Sequence, residues 1–246
     1  MNKIKVRAGL VIADDNEFAP ISRIAAKLGG TKMDKSFFGN DVYRITVSGE
    51  TVDIAVYAVL CGIGKVNAAA ATTALIANGS SFIINSGLSG GINNVFKGET
   101  VLCDRFIEHD FDVTPLGYKK YEKPGQAYIY NANAKLLRAY KSLYPNMKVG
   151  TAVTGDCFVC DDNLRKTLTN ELNAQSCDME SAAVAAICDK CDIPFVALRL
   201  ISDNAGAGAQ DEYSASKGAV EASLLDTVFA GFAQIANLDE SNWRVN

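Results

Sequence analysis

Only one histidine, His109, occurs in the 246 residues, so a zinc site assembled from the cysteine pairs of this chain would have to be all-thiolate. Positive charge is also short: 24 Lys and Arg stand against 28 Asp and Glu, a formal net charge of −4. That balance argues against a nucleic-acid partner, whose phosphates call for a basic stripe. No apolar run reaches the roughly 18 residues of a membrane span, so no membrane partner is expected. Residues 1–7 carry basic side chains but lead straight into a strand with no small-residue cleavage site, and the expected setting is cytoplasmic. Repeats, low-complexity tracts and linkers are missing too, so residues 1–246 read as a single domain. What remains, 48% hydrophobic and 21% charged residues, is the composition of an ordinary globular protein able to bury a core.

Cysteine is present seven times, an odd number. Cys157-Phe158-Val159-Cys160 and Cys188-Asp189-Lys190-Cys191 both have C-x-x-C spacing, which raises zinc as a question. The first pair encloses two apolar residues and the second lies late on an expected helix. Free, largely buried thiols are the better reading, and no metal or cofactor is expected.

Strand-like and helix-like stretches alternate, the pattern of βαβ units around a mostly parallel sheet. Residues 8–13 form an apolar first strand, and residues 18–28 a helix ending at Gly29-Gly30. Residues 42–47 and 52–60 read as a hairpin, 66–77 as an Ala-rich helix, and 82–84 and 100–103 as short strands. Residues 132–144 and 181–188 are expected to be helical, 148–153 extended, and 214–236 one long amphipathic helix. The run Phe195-Val196-Ala197-Leu198 leads through Arg199-Leu200-Ile201 to Ser202-Asp203, a buried strand with an acid at its carboxyl end. Ligands of open α/β sheets sit there. Glu17 after the first strand and Glu180 after Cys177-Asp178-Met179 add two more acids at element ends, a set able to do acid/base work on a neutral, oxygen-rich ligand.

Cys61-Gly62-Ile63-Gly64-Lys65-Val66-Asn67 joins a strand to a helix, but it lacks P-loop spacing, and Val66 replaces the hydroxyl that would hold Mg²⁺. The turn is as well explained by structure as by function. Asn85-Ser86-Gly87-Leu88-Ser89-Gly90-Gly91 packs three glycines into five residues, more than a tight turn needs, and is expected to be a ligand loop. His109 has no partner identifiable in sequence and reads as a hydrogen-bonded structural residue. Phe158, beside the turn Gly155-Asp156, offers a stacking face for a flat ring.

In this order the segments resemble the nucleoside phosphorylase/nucleosidase superfamily, and within it the 5′-methylthioadenosine/S-adenosylhomocysteine nucleosidase branch. The matching pieces are residues 9–17, Gly62-Ile63-Gly64-Lys65-Val66, Ile84-Asn85-Ser86-Gly87 with Gly90-Gly91, and His109-Asp110 with Asp112-Val113-Thr114. They continue through Gly117-Tyr118, Gly155-Asp156-Cys157-Phe158, Met179-Glu180 and residues 199–203. Each is weak alone; the ordered set is specific. The resemblance implies one α/β domain with a central mixed β-sheet flanked by helices, a homodimer, and hydrolysis of the N-glycosidic bond of an adenine nucleoside without a cofactor. By position, Asp203 is then the general acid at adenine N7, steadied by Ser202, and Glu17 aligns the attacking water. Met179 and Glu180 hold the ribose, Phe158 stacks on the base and the backbone of Val159 reads its edge, with Ile63 and Tyr213 completing the substrate-binding set.

Three residues depart from the family pattern: Leu88 where a small hydroxylated residue is usual, Asp14 where a methionine often lines the ribose end, and Leu116 where an aromatic often meets the 5′ group. Tyr213 is the candidate aromatic wall for that side. Two rival readings follow. A phosphorylase would need cations for phosphate, and the glycine segments carry no arginine, while Leu88 removes a phosphate-binding hydroxyl. A non-catalytic nucleoside-binding protein on the same scaffold is countered by the presence of Glu17, Glu180 and Asp203.

Overall fold

The computed structural model describes residues 3–37, 39–216 and 221–238. Its centre is a mixed ten-stranded sheet. Strand β1 (Ile4–Ile12) pairs in parallel with β4 (Val52–Leu60), and β3 (Asn40–Ser48) adds to β4 as the expected antiparallel hairpin. The edge strand β2 (Thr31–Phe37) is too polar in sequence to announce itself.

On the other side of β1 lies β5 (Phe82–Gly91), and this strand shapes the molecule. Only its first residues pair with β1, from Ala8 opposite Phe82 to Val11 opposite Asn85. β10 (Phe195–Asp203) runs parallel along the other edge of β5 from Ile83 to Gly90, and beyond Asn85 β5 parts from β1 to meet β9 (Ala174–Asp178), antiparallel, at Gly90 and Gly91. β10 pairs with β6 (Thr100–Glu108), β6 with β8 (Lys148–Thr154), and β8 with β9, so the strands return to β5 and close a barrel. The short β7 (Ile129–Asn131) lies on β6. Residues 85–91 are therefore strand, not the loop expected of so many glycines. The glycines serve close approach of side chains across the barrel wall, as strand-interior glycines often do.

Helices cover the sheet. The expected helix over residues 18–28 is two pieces, α1 (Asp15–Phe18) and α2 (Ile21–Leu28), parted around Pro20, which cannot supply the amide a continuous helix needs. α3 (Lys65–Ala77) packs against α6 (Ser181–Lys190), whose Ala-rich first two turns are buried. α4 (Ala134–Leu143) and α5 (Asp162–Leu172) follow their strands; α5, unforeseen in sequence, is capped by Asp161, whose side chain accepts from Leu164 N. The expected tail helix is represented by α7 (Ala209–Ser216) and α8 (Glu221–Ala236), with residues 217–220 outside the described residues. α8 lays Leu224, Leu225, Val228, Phe229, Phe232 and Ile235 into the main core beside Phe82, Val196 and Leu198. No helix among the described residues is long and apolar enough to cross a membrane.

Candidate active site

The parting of β1 from β5 opens a crevice at the carboxyl ends of both strands, where α/β sheets hold their ligands. It leaves backbone donors of β5 without a ladder partner, and one of these, Leu88 N–H, donates to Glu17 Oε1 at 2.7 Å. Glu17 reaches it because α1 begins at once after β1, with Asp14 as its N-cap, and turns the Glu17 side chain inward. Its second oxygen, Oε2, is buried without a hydrogen-bond partner. Burial pushes the Glu17 carboxyl up to about 8, more than the Leu88 hydrogen bond and the nearby Arg199 charge pull it down.

At the end of β10 the register with β5 slips between Ile201 and Asp203, a bulge that turns Ser202 and Asp203 toward the crevice. Ser202 Oγ donates to Asp203 Oδ2 at 2.7 Å and Ala205 N–H to Oδ1 at 2.9 Å. Burial raises the Asp203 carboxyl above its ordinary value, against the lowering effect of those two bonds. Gly90 makes room: a Cβ there would lie 3.1 Å from Asp203 Oδ1 and 2.9 Å from Cys177 Sγ.

The third acid, Glu180, stands where β9 passes into α6, and its Oε1 accepts from Gly64 N at 3.0 Å. Burial raises this carboxyl too, with the Arg199 charge opposing and Asp178 adding to the rise. The helix N-terminus after Gly62-Ile63-Gly64 is thus occupied by the protein's own carboxylates, because Lys65 N donates to Asp156 Oδ1 at 2.8 Å. It is not a free anion site.

Behind the acids lies Arg199, 1% exposed and among the largest fully buried side chains. Its Nε is 2.9 Å from Asp178 Oδ2 without hydrogen-bond alignment, its Nη1 is 3.8 Å from Glu180 Oε2, and its Nη2 donates to Asn85 Oδ1. Asp178 Oδ1 in turn accepts from Thr154 Oγ1, Glu180 N and Ser181 N. Gly87 permits the assembly. A Cβ there would sit 2.5 Å from Arg199 Nη1 and 3.0 Å from Glu17 Oε2. The reading of the sequence singled out neither Arg199 nor Asp178 as a site residue. The available signal was a cation inside an otherwise apolar strand, which cannot be buried without acids around it.

The cavity so formed measures about 350 Å³. Glu17, Ile63, Phe158, Val159, Met179, Glu180, Ser202, Asp203 and Tyr213, all nine residues singled out from the sequence, line it together. Phe158 and Tyr213 meet edge to face, ring centres 5.7 Å apart, and form an aromatic wall. Leu88 and Asp14 line the cavity as well, whereas Leu116, in a single 3-10 turn, is 74% exposed and does not. His109 is buried, with a hydrogen bond to its own backbone and no partner for Nε2 among the described residues; burial lowers its pKa. All seven cysteines are free, Cys157, Cys160 and Cys191 exposed and Cys188 buried. Among the described residues no group of three or more His, Cys, Asp or Glu side chains is arranged to hold a metal ion.

Residues 7–230 match the sequence model of the phosphorylase superfamily. The chain belongs to this superfamily. A 5′-methylthioadenosine/S-adenosylhomocysteine nucleosidase of Shewanella pealeana is 36% identical over 183 residues, 70% of this chain and 80% of that one. An aminodeoxyfutalosine nucleosidase of Campylobacter jejuni is 29% identical over 66% of this chain and 75% of its own length. Among solved structures, S-adenosylhomocysteine nucleosidase of Streptococcus pyogenes, in complex with 5-methylthiotubericidin, superposes with a TM-score of 0.84 at 23% identity, covering 96% of this chain and 98% of that one. Futalosine hydrolase of Helicobacter pylori gives 0.83 at 24% identity over 92% and 97%. The mixed α/β fold of the superfamily is thus the fold of this chain. The curated relatives named here are nucleosidases, N-glycosyl hydrolases, in line with the class of enzyme expected from the sequence.

Proposed function

We propose that the protein hydrolyses the N-glycosidic bond of an adenine nucleoside and releases adenine. The observation that carries this reading is one cavity walled by three buried carboxyls, Glu17, Glu180 and Asp203, all raised in pKa, with no Lys, Arg or His on its wall among the described residues. Adenine leaves poorly as an anion, so protonation at N7 lowers the barrier, and a positioned general acid contributes roughly 10²–10⁴-fold. Asp203 is the acid in this mechanism. Burial keeps its proton available, and Ser202 fixes its orientation. As the bond breaks, the ribose gains oxocarbenium character. Glu17 aligns the attacking water against that charge and, as the carboxylate, takes the proton the water loses as the new C–O bond forms. Glu180 with Met179 holds the ribose hydroxyls, Phe158 stacks on the base, and the Val159 backbone reads its edge.

Phosphorolysis fits less well. Arg199 is the cation that acts on Glu17 and Glu180, and Asp178, Glu180 and Asn85 already engage it behind the wall. The curated relatives named for 5′-methylthioadenosine and S-adenosylhomocysteine supply the type of nucleoside to try first. The test is base release from methylthioadenosine and adenosine with and without phosphate, with the pentose product identified. Free adenine and free pentose at a phosphate-independent rate are expected. Pentose 1-phosphate would instead mark a phosphorylase, and binding without base release a nucleoside-binding protein.

A further inference from the structure

Five acids line the cavity: Asp14, Glu17, Asp178, Glu180 and Asp203. Asp178 is taken up by Arg199, Thr154 and the start of α6. Glu17, Glu180 and Asp203 are accounted for by the hydrolysis proposed above, on which this inference rests. Asp14 is left over. Its Oδ1 accepts from Asn16 N at 2.8 Å and Asn16 Nδ2 at 2.9 Å, which pins the side chain. Its Oδ2 accepts no hydrogen bond among the described residues, and the side chain is half-buried on the cavity wall. An acid held in this way wants a donor from the ligand.

Adenosine has four donor groups: the exocyclic amine and the 2′, 3′ and 5′ hydroxyls. The amine belongs to the base edge and the 2′ and 3′ hydroxyls to Glu180, which leaves the 5′ hydroxyl. A 5′-thioether has no donor to offer, and a 5′ group carrying a carboxylate would meet an acidic wall without a cation. We infer that Asp14 determines specificity at the 5′ position by accepting a hydrogen bond from a 5′ hydroxyl or ammonium, so that the favoured substrates are adenine nucleosides with such a donor.

The test compares kcat/KM for adenosine, 5′-amino-5′-deoxyadenosine and methylthioadenosine in the wild type, Asp14→Asn and Asp14→Leu. One hydrogen bond to a charged group corresponds to about 10–100-fold. The wild type is expected to prefer both donors over the thioether, and Asp14→Leu to lower the adenosine-to-methylthioadenosine ratio by about that factor. Asp14→Asn keeps an acceptor and the helix cap. It should hold most of the adenosine preference while losing about tenfold or more on the ammonium substrate relative to adenosine. Should Asp14→Leu fail to fold, that last comparison decides alone, and equal losses on the two donors would overturn the inference. A wild-type preference for methylthioadenosine by orders of magnitude, or an unchanged ratio in Asp14→Leu, would overturn it while leaving the nucleosidase reading intact. Base release from none of the three would remove that reading and this inference with it.

Discussion

Replacing Glu17 by glutamine should make the protein more stable as the pH rises. In the folded chain the Glu17 carboxyl is pushed up to about 8, from 4.5, chiefly by burial. A group with a folded-state pKa above its unfolded value favours folding in its protonated form. That contribution is complete below pH 4.5 and is lost as the pH rises through about 8. Each pKa unit corresponds to about 1.36 kcal/mol, so the 3.5 units between 4.5 and 8 amount to roughly 5 kcal/mol across the window. About 3 kcal/mol of it is already lost at pH 7. Glutamine cannot ionise, and its amide oxygen can still accept from Leu88 N–H.

The stability difference between Glu17→Gln and wild type should therefore be small at pH 4.5 and grow with pH. By pH 9 it should reach a melting-temperature gap of roughly 10–20 °C, at 2–4 °C per kcal/mol for a chain of this size. Thermal or urea unfolding of both proteins at pH 4.5, 7 and 9 measures it, and the change in the difference with pH isolates this one carboxyl. A difference that stays flat would refute the reasoning, because it would mean that Arg199 keeps Glu17 ionised in the fold despite its burial. The same substitution should abolish most turnover, a site acid held at the expense of stability.

Two further substitutions address the rest of the site. Asp203→Asn keeps the shape of the side chain but cannot deliver a proton, so kcat on an adenine nucleoside should fall roughly 10²–10⁴-fold while a nitrophenyl riboside, whose leaving group needs no protonation, loses far less. Equal losses on the two substrates would remove Asp203 from proton transfer. Gly87→Ala would press a methyl group to within 2.5 Å of Arg199 Nη1. Since that guanidinium is held by Asp178 and Asn85, chemical denaturation should show a loss of about 1–3 kcal/mol, with more than tenfold lower turnover as Glu17 is displaced. Wild-type turnover in this variant would show that the Gly87 approach has no part in placing Glu17.

The strands that carry the acids were legible because their physics is local. Residues 195–198 are apolar and β-rich, β10 is buried along its whole length, and an acid at its end has one place to emerge. The β3–β4 hairpin shows itself in the same way. β9 did not: Gln175, Ser176 and Asp178 make its sequence polar, yet Ser176 and Asp178 are buried, since the closed barrel hydrogen-bonds what an open sheet would have to expose. The stretch 85–91 looked like a loop because glycine density signals turns when the neighbours are unknown. Its meaning lies in Arg199, Glu17 and Asp203, 30 or more residues away in every case. The contacts of Arg199 belong to the same class: its position is obvious in sequence, its partners only in space.

What distinguishes the carboxyls is the number of donors each receives, and that number follows from the topology. Asp178, at the β9–α6 junction, collects three hydrogen bonds on one oxygen and a guanidinium beside the other. Glu180, two residues on, has the Gly64 and Met179 amides and the guanidinium at 3.8 Å. Glu17 has a single backbone donor and an orphaned oxygen. With few donors and full burial, the charged form loses. Burial is the first cause that holds Glu17 and Glu180 toward neutrality, with Asp178 adding to the rise at Glu180, and Glu180 and Asp14 adding to the rise at Glu17. Removing Asp178 would leave the guanidinium short of a partner and take away one of the neighbours that raise Glu180. The raised Glu17 and Glu180 carboxyls therefore belong to one buried network around Arg199, and the strand departure at Asn85 is what gives that network its room.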